Sequence, residues 1–249
     1  MLLAHPTGHY RFLTGIDPYS CGVIADPGYQ IVRAAFACLL PWRQGFERID
    51  EHLRTTGRGR EAVCAVELRS PAPFTMSGFI AFNRTYCELL RDWNLYVGEY
   101  NPVARTNVAP VHQPPSEVVL HAFSYTVPAA GPMRPTLVVA GAGELREGVL
   151  EEERIIRPGE DSAEALREKA TYVMQVMTER LCGLGGDWPM VTSVNVYTAR
   201  LETWVAEEIV LAGTGPARRE GLCWHCTRPP VQRIDFEMDL RGVATELVI

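Results

Sequence analysis

Three features of this 249-residue chain could mark chemistry by residue type and spacing. The first is the pair Cys223-Trp224-His225-Cys226. Zinc would need two more ligands, and His112 and His121 are the only plausible donors. The segment reads as a strand, where neighbouring side chains point to opposite faces and do not converge on one ion. No metal site is expected. The second is lysine, conspicuous by scarcity: of 24 basic residues only Lys169 is a lysine, and the rest are arginines. Arginine neither forms a Schiff base nor gives up its proton near neutrality. Lys169 borders the stripe Leu166, Ala170, Val173, Met174, Met177 and Leu181, so it is expected on a solvated helix flank. Covalent amine catalysis, pyridoxal phosphate included, is disfavoured. The third is Gly141-Ala142-Gly143, too short for a dinucleotide fingerprint and not followed at once by a helix.

Composition narrows the field further. The chain is 47% hydrophobic and 22% charged, as soluble globular domains are. Its formal charge is −6 and no basic face stands out, which argues against nucleic acid. The start, MLLAHPTGHYRF, lacks the charged and apolar regions of a signal peptide. No apolar run approaches the roughly 20 residues that span a bilayer. Seven scattered cysteines fit reduced thiols rather than a disulfide framework. The reading is a cytoplasmic protein with no membrane partner.

The elements that must position any site form a pattern that occurs twice. In the second half, residues 135–145 read as a strand. A helix follows from Ser162, a capping residue, to Leu181, with Gly183 just beyond. Residues 190–199 form a strand, 201–211 a shorter helical stretch, and 221–227 and 232–240 two strands split by Arg228-Pro229-Pro230. In the first half, 28–42 is a strand, 46–56 an amphipathic helix and 61–69 a strand. Residues 77–94 are helical, and 104–110 and 116–128 are strands around another Pro-Pro. A linker at 128–135 joins the halves. The expectation is an α+β chain of two tandem domains, residues 1–128 and 129–249. Each would be a mixed sheet with two helices on one face, and the uncovered face would be buried by assembly.

Short motifs within this frame resemble the RidA/YjgF family of imine and enamine deaminases, whose domains are chorismate-mutase-like. They are Asp17-Pro18-Tyr19-Ser20, Phe82-Asn83-Arg84-Thr85-Tyr86 and Ala104-Arg105-Thr106-Asn107-Val108 in the first half, and the cadence of residues 138–145 and 186–204 in the second. The resemblance covers about residues 17–240 and implies substrate-binding roles for Arg105, Tyr19 and Asn83. Arg105 would clamp a carboxylate, as a planar, permanently charged guanidinium can. Where the family has a late glutamate the first half has His121, which titrates near neutrality. Asn107 stands where many members have cysteine, and the second half keeps an acid at Glu237. The catalytic candidates are therefore His121, Asn107 and Glu237. Either the halves complement each other across an interface, or the second is a scaffold.

Duplicated chains of this kind resemble the 2-aminomuconate deaminases. That implies hydrolytic deamination of a small carboxylate enamine without metal or organic cofactor, in a homo-oligomer, most simply a trimer. A second carboxylate would need a second cationic patch, for which Arg33, Arg84 and Arg219 are candidates. The rival readings are a generalist 2-imino acid hydrolase, a chorismatase-like enzyme and a non-catalytic ligand-binding module.

Overall fold

A computed structural model describes residues 1–131, 133–146 and 148–249. Pro132, inside the expected 128–135 linker, lies outside the described residues. The elements run β1 (Leu2–Ala4), β2 (Tyr10–Leu13), β3 (Gly22–Ala25), β4 (Tyr29–Pro41), α1 (Trp42–Thr55), β5 (Val63–Arg69), α2 (Met76–Asp92), β6 (Ala104–Pro110) and β7 (Val119–Pro128). They continue with β8 (Leu137–Gly143), α3 (Ala163–Gly183), β9 (Ser193–Thr198), a π-helical segment (Val205–Leu211), β10 (Cys223–Arg228), β11 (Glu237–Gly242) and β12 (Thr245–Val248).

The helices form where the sequence places them, for the expected reasons. The Ser162 hydroxyl accepts the Ala165 N–H at 3.2 Å and opens α3; Thr75 does the same for α2 through Gly78 at 3.1 Å. On α1, Phe46, Ile49 and Leu53 recur at helical spacing and pack with Tyr86, Cys87 and Leu90 of α2. Ala170, Val173, Met177 and Leu181 of α3 form a second core with Val194, Val196, Met238 and Leu240.

The sheet departs from two tandem RidA-like units. All twelve described strands belong to one mixed sheet, ordered β1-β2-β3-β8-β11-β9-β10-β6-β5-β7-β4-β12. Strands of the two chain halves interleave: β3 pairs with β8, β10 with β6, and β12 runs parallel to β4. The short strands β1 to β3 have no counterpart in the expected pattern, and the second helical stretch of the C-terminal half is π-helical. Backbone hydrogen bonding at exposed strand edges drives this exchange, because each half offers an edge that the other can pair.

The sheet also rolls. Arg241 on β11 lies 3.5 Å from Glu67 on β5, although three strands separate them in the order. Glu67 accepts from Arg33 Nε at 2.6 Å and Nη2 at 2.9 Å, and Asp239 accepts from Thr106, Asn195 and Tyr197. These groups are buried, so each charge must be matched. Replacing only one partner, as in Glu67→Leu, leaves three neighbouring guanidinium groups short of a carboxylate and should cost about 3–5 kcal/mol in urea unfolding. The arginines hold the Glu67 carboxyl far below its ordinary range, against the opposing effect of burial. Its contribution is therefore complete above the unfolded-state value and fades as pH falls through that value toward the depressed one. Wild-type stability should drop in acid more steeply than that of Glu67→Leu.

Candidate active site

Arg105 and Asn107 alternate along β6, in register with Val66 and Leu68 of β5. Those two residues belong to the core under α1 and α2, so both polar side chains point to the helix-covered face. Arg105 is 4% exposed. Its guanidinium carbon lies 4.8 Å from the Tyr86 ring centre, 4.9 Å from Tyr19, 5.5 Å from Phe79 and 6.0 Å from Phe82. Such rings stabilise a cation through their faces but do not neutralise it. Arg105 Nη2 donates to Asn83 Oδ1 at 2.7 Å. Among the described residues no carboxylate pairs with it.

Around this guanidinium four buried polar atoms have no hydrogen-bond partner among the described residues: Arg105 Nη1, Asn83 Nδ2, Asn107 Nδ2 and the Tyr86 hydroxyl. Asn107 is oriented by Ser70, whose hydroxyl donates to Asn107 Oδ1 at 2.9 Å. All four groups can donate, and leaving a buried donor unsatisfied costs about 1–3 kcal/mol. The arrangement gathers unused donors about one positive charge.

A cavity of about 330 Å³ opens beside it, within the usual range for small-molecule sites. Its walls come from both chain halves: Tyr19 and Cys21 before and at the start of β3, Phe79 of α2, Arg105 and Asn107 of β6, Gly141 to Gly143 of β8, Arg180 of α3, and Ile234 and Glu237. The two halves therefore complement each other within one chain. Gly141 is required by close approach: a Cβ there would meet a Glu237 carboxyl oxygen and come within 3.2 Å of the Thr106 backbone.

Glu237 supplies the acid. Its carboxyl is buried, and burial raises its proton affinity well above the ordinary value; Asp239 and Glu144 add to the rise, while Arg105 and Arg180 oppose it. Burial and the neighbouring carboxylates thus favour its protonated form.

Two expectations from the sequence need correction. His121 does not line the cavity. Glu67 pairs with Ala122 and Leu68 with Leu120, so His121 is the extra residue of a β-bulge. It lies electrostatically among Arg69, Glu67, Arg33 and His225, and burial lowers its pKa to about 4. The cationic patch is also elsewhere than expected. Arg33 pairs with Glu67 and Arg219 with its neighbour Glu220, and Arg84 is exposed. Arg180, whose Nη1 donates to the Ala140 and Gly141 carbonyls at 3.0 and 3.2 Å, and Arg146 line the cavity instead. Arg180 was detectable as an arginine beside the apolar positions Met177 and Leu181 of the α3 stripe. Cys223 is exposed, and among the described residues no three His, Cys, Asp or Glu side chains are grouped to hold a metal.

A guanidinium caged by aromatic rings and a buried carboxyl thus line one small cavity, the setting of an enzyme site for a small molecule. A family model described as 2-aminomuconate deaminase CnbZ matches residues 2–247. A 2-amino-5-chloromuconate deaminase of Comamonas testosteroni is 40% identical over 245 residues, covering 97% of this chain and 96% of that protein. The chain belongs to the 2-aminomuconate deaminase CnbZ family. Among solved structures, a chorismatase aligns with 89% of this chain and 77% of its own at 12% identity and a TM-score of 0.49. A cyanuric acid hydrolase aligns with 88% and 69%, at 12% identity and a TM-score of 0.43.

Difference infrared spectroscopy between wild type and Glu237→Gln tests the neutral acid. At pH 7 the wild type should carry a protonated-carboxyl stretching band that the substitution removes. A band untouched by the substitution would show Glu237 to be ionised.

Proposed function

We propose that the chain hydrolyses the C–N bond of a 2-aminomuconate-type enamine, releasing ammonia and leaving the 2-oxo dicarboxylate. The observation that carries this reading is the ring of unpartnered donors about Arg105, sharing one cavity with the buried Glu237 carboxyl. The carboxylate next to the amine-bearing carbon docks on Arg105 Nη1, with Asn107 and Asn83 completing its hydrogen bonds. Arg180 and Arg146 give the cavity a second positive pole for the distal carboxylate.

Glu237 then delivers its proton to the enamine carbon chain, and the nitrogen becomes an iminium. Docking of an anion near Arg105 offsets the charge that otherwise opposes protonation of Glu237, so the acid stays protonated until it is used. As water adds to the iminium carbon, the Glu237 carboxylate takes one of its protons. Returned to the nitrogen, that proton makes ammonia the leaving group, and as the carbon–oxygen double bond forms the hydroxyl proton passes to the Glu237 carboxylate. One water enters, one ammonia leaves, and Glu237 ends protonated. Proton transfer by a placed carboxyl typically contributes about 10²–10⁴-fold. Because an iminium is intrinsically electrophilic, that contribution suffices without a nucleophilic lysine.

Ammonia release from 2-aminomuconate and its 5-chloro analogue tests these roles. Arg105→Ala should lower kcat/KM about 10²-fold through lost charge-assisted hydrogen bonds. Arg105→Lys should recover only part, since an ammonium cannot reproduce the two-pronged contact. Glu237→Gln should lose about 10²–10⁴-fold in kcat, and His121→Ala should stay close to wild type. Near-normal activity in Arg105→Ala would end the anchoring role.

A further inference from the structure

The chain's one lysine is buried, contrary to the solvated flank expected for it. Lys169 is 0% exposed on α3. Its Nζ donates to the Glu160 carbonyl at 2.8 Å and to Asp235 Oδ2, and lies 3.6 Å from Glu144 Oε1. Glu144, equally buried, directly follows β8. Its two carboxyl oxygens accept the backbone N–H groups of Asp235 at 2.6 Å and Phe236 at 3.0 Å. The next residue is Glu237. Burying an ion pair this completely is costly, and such pairs persist where they fix a geometry.

We propose that Lys169 and Glu144 are positioning residues that hold the Asp235–Phe236 backbone so that the Glu237 carboxyl enters the cavity. The pair ties α3, the end of β8 and the start of β11 at one point, and Ile234 and Glu237 on either side of it both line the cavity. It rests on the reading of Glu237 as proton donor. It also has an electrostatic consequence. Facing Glu237 are Asp239 on its own strand, Glu144, Arg105 on β6, Arg180 on α3, and the Tyr19 hydroxyl. Of these, Asp239 and Glu144 favour its protonated form. Burial raises Glu144 itself to about 7, with Lys169 and the backbone donors opposing the rise. Glu144 thus carries partial negative charge near neutrality.

Four proteins settle this: wild type, Glu144→Gln, Glu237→Gln and the double variant Lys169→Met/Glu144→Leu. The double variant removes both charges together and so avoids stranding one in the core. kcat and KM for ammonia release are measured across pH, with thermal melting to establish folding. Glu144→Gln keeps an acceptor for one backbone donor but loses the charge. It should lower kcat at least tenfold with KM nearly unchanged, and shift the alkaline limb of the kcat profile to lower pH. The double variant should fold and lose kcat at least as strongly. A folded double variant with wild-type kcat overturns the proposal, as does Glu144→Gln with an unmoved alkaline limb, even while Glu237→Gln is inactive. An active Glu237→Gln overturns the proton-donor reading and the positioning role with it.

Discussion

A buried guanidinium that pairs with no carboxylate among the described residues is the constraint on which the rest of the structure depends. Arg105 sits among Tyr19, Phe79, Phe82 and Tyr86, whose ring faces make the position tolerable without cancelling its charge. Everything nearby leaves the same valence open. Asn83 and Asn107 each spend their carbonyl oxygen on a neighbour and keep their amide hydrogens, and the Tyr86 hydroxyl has no acceptor. Elsewhere the molecule does the reverse: Arg33, Arg69 and Arg241 gather around Glu67, with Asp239 and Glu246 sharing their charge. The contrast separates an arginine matched by carboxylates within the sheet from one that, on the proposed reading, meets its anion only in the substrate.

Opposite Arg105 the chain places an acid whose environment disfavours ionisation. A cation and an unionised carboxyl can share a small cavity only if something prevents them from pairing outright. Here the neighbouring negative charge of Asp239 and Glu144, together with burial, outweighs the pull of Arg105 and Arg180. The two groups come from different halves of the chain, and the interleaved strand order brings them to one cavity.

Much of this was readable in the residues and part was not. Arg105 and Asn107 lie on a strand and Asn83 on a helix that form where expected, Glu237 opens a strand that starts later than the expected 232–240, and these four and Tyr19 are at or next to the cavity. His121 was misplaced because a strict alternation assigns it a face, and a one-residue bulge changes that face. Lys169 was misplaced because helical spacing locates a residue at the border of a stripe without revealing what covers it. Its partners, Glu144, Glu160 and Asp235, come from segments brought together only in the fold. The strands β1 to β3 are three or four residues long, too short for periodicity to register. The single sheet was hidden for a broader reason: a repeated order of expected strands and helices says nothing about which edge pairs with which.

The pairing of β12 with β4 sets Thr245 beside Val32, and β8 closes against β3. Partners so far apart in the chain meet late, since closing long loops is entropically expensive. During synthesis the early strands emerge with open edges and wait on the ribosome's remaining output before they can be sealed. Until those edges are sealed the open strands are exposed to sticking and to chaperone capture.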